Sequence, residues 1–216
     1  MILLRELLII GAGGHARSVL DIALTVGEYN IIGCLDSVYP DRKCVEGFPE
    51  IPIVGGDERM EDIFRRGARY VFIAIGDNRL RKELYDKAVS IGFTAANLIS
   101  PVATISPRAR LGRGICAMPG VIINACTSIG NNVILNTKCS ADHDCKIGDH
   151  CHIAPGATLS GCVSAGEGAW IGTGASVIEK VHIGRWSYIG AGAAVVRDVE
   201  EHVLSAGVPA KYIKNI

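Results

Sequence analysis

The stretch LNTKCSADHDCKIGDHCHIAPGATL, residues 135–159, decides how the chain folds. Its residues Leu135, Ala141, Ile147, Ile153 and Leu159 are aliphatic and lie six apart. The spacing extends back to Ile105 and on to Val195, sixteen positions without one insertion. The next residue is often small and is read as turn-forming: Gly112, Gly130, Gly148, Gly166, Gly172, Gly184 and Gly190. Four residues after each aliphatic position the chain is again small or β-branched, as at Val121, Thr127, Val133, Ala157 and Ala175. A repeat this short cannot bury its own apolar face and must stack on its neighbours. Such a hexapeptide period is the signature of a parallel β-helix, three hexads to a triangular coil. Sixteen hexads make about five coils, or roughly 24 Å of solenoid at ordinary strand spacing.

This register assigns side chains to places. Cys139, Cys145 and Cys151 take the small inward position on the three walls of one coil, where a thiol fills space as a small hydrophobe. Stacked neighbours are eighteen residues apart, so His143 lies between Ala125 and Gly161 at a turn between two walls, with space cleared around its ring. Asp144 follows and can orient the imidazole and raise its basicity. Histidine is the side chain best suited to accept a proton near neutral pH, so the pair is a candidate general base. His152 takes the outward face of a wall, where it can hydrogen-bond a ligand lying against the coil. His150 occupies a turn and is expected to be exposed. His143, His150, His152 and His182 fall in different columns and corners, so one chain does not converge three of them on zinc; only ligands shared across a subunit interface would. No metal is expected.

The first half of the chain has a different rhythm. Apolar runs at 7–10, 31–35 and 70–75 read as strands buried on both faces, and 16–26, 57–66 and 78–91 read as helices, the last two opened by Asp57 and Asn78 as N-caps. Strands alternating with helices predict a small parallel α/β sheet. Three glycine-containing or acidic turns follow its strands: Gly11-Ala12-Gly13-Gly14-His15, Cys34-Leu35-Asp36-Ser37 and Ile75-Gly76-Asp77-Asn78. In open α/β sheets ligands bind beyond the carboxyl ends of the strands, so the three turns point to one nucleotide pocket. The fingerprint G-x-G-x-x-G is incomplete because position 16 is Ala, and the domain is too short for two mononucleotide halves. A nicotinamide-dependent oxidoreductase is therefore disfavoured.

Composition sets the outer bounds. The 216 residues carry 22 Lys and Arg against 22 Asp and Glu, a formal charge of zero that argues against a nucleic-acid or anionic-membrane binder. Hydrophobic residues make up 49% and aromatic ones only 6%, which suits a narrow aliphatic solenoid. No run approaches the roughly 20 apolar residues that span a bilayer. The apolar start, residues 1–14, is interrupted by Arg5 and Glu6 and is read as a buried strand of a cytoplasmic protein. The eight cysteines contain no C-x-x-C pair.

Taken together, GAGGH (11–15), LD (35–36), AIGDN (74–78) and the stretch 135–161 resemble the bacterial sugar acyltransferase family that includes sialic acid O-acetyltransferases and UDP-4-amino-sugar N-acetyltransferases. The resemblance covers nearly the whole chain. It implies an α/β nucleotide-binding domain over 1–97, a left-handed parallel β-helix of hexapeptide repeats over 98–200 and a C-terminal tail over 201–216. It further implies a homotrimer and acetyl-CoA as co-substrate. His143 matches the family's general base and Asp144 its neighbouring acid, which is often Glu instead. Gly13, Gly14, His15, Asp36, Ser37 and Gly76 match positions lining the nucleotide-sugar pocket, with Ser37 standing where a second acid can occur. His152, Gly161, Thr173 and Ala191 match positions that contact acetyl-CoA. The implied reaction is direct acetyl transfer to an amine on a UDP-4-amino-sugar in glycan biosynthesis. No covalent enzyme intermediate is needed, and no cysteine is expected beside the base. O-acetylation of a sugar such as sialic acid is the alternative within the class; a non-catalytic nucleotide-binding scaffold is the alternative outside it.

Overall fold

In the computed structural model the described residues are 4–216; Met1, Ile2 and Leu3, which open the apolar N-terminal run, lie outside them. The chain divides into two compact units, one ending at Ile99 and the other beginning at Ser100.

The first unit runs β1 (Arg5–Ile10), α1 (Gly14–Val26), β2 (Tyr29–Leu35), a hairpin of β3 (Cys44–Val45) and β4 (Phe48–Pro52), α2 (Met60–Arg65), β5 (Tyr70–Ile73), α3 (Asn78–Ile91) and β6 (Thr94–Ala95). Its sheet has the order β2-β1-β5-β6 and is parallel throughout. Arg5 and Glu6 open β1 exposed, and the apolar run Leu7, Leu8, Ile9 and Ile10 that follows is buried at every position, as expected of a central strand covered on both faces. Leu8 and Ile10 join Leu35, Met60, Ile63, Val71, Leu84 and Phe93 in one core cluster.

The two expected N-caps are corrected. Asp77, not Asn78, caps α3, its side chain accepting a hydrogen bond from the Leu80 N–H at 2.8 Å. Asn78 instead lies in the first helical turn, buried, and accepts from the guanidinium of Arg81 at 2.8 Å. Asp57 opens a short 3₁₀ turn, Asp57–Arg59, without bonding through its side chain as a cap.

The second unit is a left-handed parallel β-helix. Each hexad supplies a two-residue strand, and strands eighteen residues apart pair in parallel, as in Ser140↔Thr158, Lys146↔Ser164 and His152↔Trp170. Wall one climbs through the strands at residues 116, 134, 152, 170 and 188, and wall two through those at 104, 122, 140, 158, 176 and 194. Wall three climbs through the strands at 110, 128, 146, 164 and 182. The aliphatic hexad positions and the small residues four later point inward, and Cys139, Cys145 and Cys151 are buried as the register requires. Burial pushes the Cys139 thiol up to about 12, which keeps it protonated. Val203–Ala206 extends wall one beside Tyr188–Ile189, and Lys211–Asn215 folds back antiparallel onto it.

The corners differ from the sequence expectation in one respect. The left-handed residue of each turn lies three after the aliphatic position: Asn132, Lys138, Asp144 and His150 have φ of 54°, 57°, 59° and 61°. The glycines directly after the aliphatic positions are needed for close approach instead. A Cβ on Gly148 would meet the Glu167 nitrogen of the next coil at 2.8 Å, and one on Gly166 the Arg185 nitrogen at 2.6 Å. Successive coils touch backbone to backbone at these places.

Candidate active site

The corner between walls two and three carries the acid–base pair. Asp142 holds its entry: one carboxylate oxygen accepts from the His143 N–H and from Asn124 Nδ2, each at 2.8 Å. Thr127, fully buried, donates from its hydroxyl to the Asp142 carbonyl at 2.6 Å and accepts from the Cys145 N–H at 3.1 Å. Asp144 then turns the chain in the left-handed conformation that Asp tolerates better than most residues. This kink brings its carboxylate back to the preceding side chain, and Asp144 Oδ2 lies 2.8 Å from His143 Nδ1. The ring rests over Gly161: a Cβ there would lie 2.6 Å from both Cε1 and Nε2 of His143. The imidazole is exposed, with Nδ1 engaged by the carboxylate and Nε2 as the nitrogen left for chemistry. The bond to Asp144, then the charge of Asp142, hold its pKa above the ordinary 6.5.

One sequence expectation fails here. Cys162, eighteen residues after Asp144, is exposed, and its sulfur lies with the ligand atoms of His143 and Asp144 in a group whose members are all within 4.8 Å of one another. A cysteine does sit beside the candidate base. The eighteen-residue stacking that placed Gly161 under His143 also places Cys162 beside Asp144, so the signal was in the sequence. A groove of about 570 Å³ follows this corner, lined by Arg110, Cys126, Ser128, Asp144, Lys146, Cys162 and Ser164.

Two other solenoid histidines are more deeply covered than their register implies. His150, expected to be exposed, is 5% exposed, with its Nδ1 2.8 Å from Asn132 Nδ2. His152 faces outward by register, yet it too is 5% exposed. Its ring packs against Trp170 at 4.1 Å between centroids, the planes tilted by 50°, and Nε2 lies 3.0 Å from Asn136 Nδ2. Within one chain the four residues expected to contact the co-substrate do not gather. Gly161 is at the His143 corner, whereas His152 is on wall one and Thr173 and Ala191 lie at the corner between walls one and two.

In the first unit the strand-end turns form a cavity of about 250 Å³, lined by Gly13, Asp36 and Ser37 among the expected residues. Gly14, His15 and Gly76 are not part of its lining. Gly11 adopts φ of 103°, and a Cβ there would meet the Ala74 carbonyl at 2.9 Å, so only glycine lets β1 and β5 end this close together. Asp36 pins two turns at once, accepting from the Ala12 N–H at 3.1 Å and from those of Val38 and Tyr39 at 2.8 and 3.0 Å. The cavity also takes in Tyr39 and Arg42, which the sequence reading passed over although they follow Asp36 on the same loop. The Arg42 guanidinium stacks 3.7 Å above the Tyr39 ring. The third turn is held from behind by Arg81, a buried cation donating to the carbonyls of Ile75 and Gly76 at 3.3 and 3.1 Å. Burial, and then the charge of Arg81, push the His15 imidazole down to about 4, so it is neutral at physiological pH. No helix among the described residues is long and apolar enough to cross a membrane.

Comparison with known proteins finds relatives for both units of the fold. Residues 6–88 match the PglD N-terminal domain, and residues 126–161 match the bacterial transferase hexapeptide (six repeats). A histidine-to-alanine variant of GDP-perosamine N-acetyltransferase from Caulobacter crescentus, solved with CoA and GDP-perosamine, is 42% identical. It superposes with a TM-score of 0.92 over 97% of both chains. The chain belongs to the hexapeptide-repeat sugar acetyltransferases. Another solved member of this family, the acetyltransferase domain of PglB from Neisseria gonorrhoeae in complex with acetyl coenzyme A, is 35% identical. Its TM-score is 0.91 over 97% of this chain and all of that one. The GDP-perosamine N-acetyltransferase of Escherichia coli O157:H7 is 30% identical over 102 residues, a match spanning 47% of this chain and 46% of that protein.

Proposed function

We propose that the protein transfers the acetyl group of acetyl-CoA to the amine of a nucleotide-linked amino sugar, with His143 as general base. The observation that carries this reading is the corner itself: an exposed imidazole over a glycine, Nδ1 engaged by a carboxylate and Nε2 left to receive a proton. An amine attacking a thioester carbonyl sheds a proton, which needs an acceptor within about 3 Å. His143 Nε2 takes it, and Asp144 stabilises the imidazolium that results. The backbone N–H of Gly161 serves the developing oxyanion, and the thiolate of CoA leaves as the tetrahedral intermediate collapses. The strand-end cavity of the first unit holds the nucleotide, with Asp36, Ser37 and Gly13 at its edge.

The separation of Gly161 from His152, Thr173 and Ala191 on one chain supports a homotrimer, in which the corner of one subunit meets wall one of the next and acetyl-CoA lies between them. The family resemblance allows a UDP-sugar. A relative matched over 97% of its own chain was solved with CoA and GDP-perosamine, which makes a GDP-4-amino-sugar the first substrate to test. The experiment is a CoA-release assay with acetyl-CoA and GDP-, UDP- and dTDP-linked 4-amino sugars, with free sialic acid as the hydroxyl control. Release with a nucleotide amino sugar supports the reading. Release with sialic acid alone would replace it by O-acetylation, and release with none would remove the enzymatic reading.

A further inference from the structure

We propose that His143, Asp144 and Cys162 form a binding site for a thiophilic divalent cation of the zinc type, and that its occupancy switches the acid–base pair off. The three residues offer one imidazole nitrogen, one carboxylate oxygen and one sulfur, all within 4.8 Å of one another and all on exposed side chains. Nitrogen, oxygen and thiolate donors in threes, with a fourth position open to solvent, are the ligand set of accessible zinc sites. Magnesium and calcium demand oxygen ligands in larger number and are poorly matched.

The backbone holds the three donors in place. Asp144 and Cys162 are equivalent residues of successive coils, both left-handed at φ of 59° and 63°, so their side chains leave the corner in the same direction. The Cys162 N–H donates to the His143 carbonyl at 2.9 Å, and the Asp144 N–H to the Ala125 carbonyl at 3.1 Å. Each donor is therefore anchored by the ladder that builds the coil, and only side-chain rotation is needed to close on an ion. Cys126 repeats the position one coil earlier but lies outside the donor group, which makes it an internal control.

A cation taken up through His143 Nδ1 moves the proton held between that nitrogen and Asp144 to Nε2, which can then no longer accept one, and the Cys162 thiol gives up its proton to solvent as its sulfur binds. Binding is thus weakened by acid. The site rests on this geometry alone; its effect on turnover rests on the proposed role of His143.

The test is titration of the metal-free full chain, thiols reduced, with Co²⁺ as a spectroscopic probe and Zn²⁺ as competitor. The expected result is a thiolate-to-cobalt charge-transfer band with intense d–d bands, displaced by Zn²⁺. Cys162→Ser should abolish the charge-transfer band, Asp144→Asn should weaken Co²⁺ binding roughly tenfold or more, and Cys126→Ser should leave the spectrum unchanged. Circular dichroism of each variant separates ligand loss from misfolding. No charge-transfer band at saturating Co²⁺, or the same band in Cys162→Ser, overturns the site. In the CoA-release assay Zn²⁺ should inhibit, with reversal by chelator, and Cys162→Ser, normalised to its own metal-free rate, should need roughly tenfold more. Binding without inhibition would uphold the site and count against His143 as the base.

Discussion

Replacing Gly161 with Ala separates positioning of the base from stability of the coil. The added Cβ would lie 2.6 Å from Cε1 and Nε2 of His143, about 0.8 Å inside ordinary contact at 3.4 Å. Gly161 is not among the positive-φ glycines, so alanine fits the backbone there, and loss of unfolded-chain entropy favours the folded state by about 0.4–1 kcal/mol. The ring must yield, because the neighbouring atoms are the tip of an exposed side chain and not a buried wall. It moves by nearly 1 Å, and misplacement on that scale costs on the order of 10²-fold in rate. Gly161→Ala should therefore lower kcat roughly 10²-fold while Tm stays within about 4 °C. The KM for acetyl-CoA should change little, since the backbone N–H remains. Steady-state CoA release with a nucleotide amino sugar, beside thermal denaturation, reads both quantities. Full turnover in a folded Gly161→Ala enzyme would refute the placement of the reacting nitrogen over this glycine. A large fall in Tm would refute the claim that the ring is what gives way.

Other substitutions probe neighbouring parts of the account. Gly148→Ala places its Cβ 2.8 Å from the Glu167 nitrogen, where both backbones are fixed by coil hydrogen bonds, so stability should fall by roughly 1–3 kcal/mol in chemical denaturation. Since Asp144 and then Asp142 raise the His143 pKa above 6.5, the free base is lost as pH falls through that raised value, and kcat/KM should decline on an acid limb above 6.5. Asp144→Asn should move that limb to lower pH and reduce kcat; an unmoved limb would assign it to another group. Arg81→Leu removes the donors to the Ile75 and Gly76 carbonyls, and should cost about 2 kcal/mol or more and raise KM for the nucleotide sugar.

The solenoid was legible because a period of six writes the inward positions directly into the sequence. Leu135, Ala141 and Ile147 then fix which residues stack, and His143 over Gly161 follows from simple addition. What covers an outward side chain is not contained in that register, so the burial of His150 and His152 depended on Asn132, Asn136 and Trp170 in three dimensions. The role of Arg81 is hidden in the sequence for a related reason. A cation among helical residues reads as exposed unless carbonyls at a sheet edge are known to face it. Asp77 and Asn78 offer the same capping chemistry one residue apart, and only the bond from the Leu80 N–H distinguishes them. Cys162 is legible by the same addition, because the eighteen-residue step that sets Gly161 under His143 also sets Cys162 beside Asp144.

The central claim is that an exposed, carboxylate-oriented His143 drives acetyl transfer to a nucleotide amino sugar. Mass spectrometry of the sugar product from wild type and His143→Ala, each incubated with acetyl-CoA and a GDP-4-amino-sugar, tests it most directly. The account predicts one added acetyl group on the amine with wild type, and almost none with a folded His143→Ala protein that still binds acetyl-CoA. Equal acetylation by the variant would contradict it.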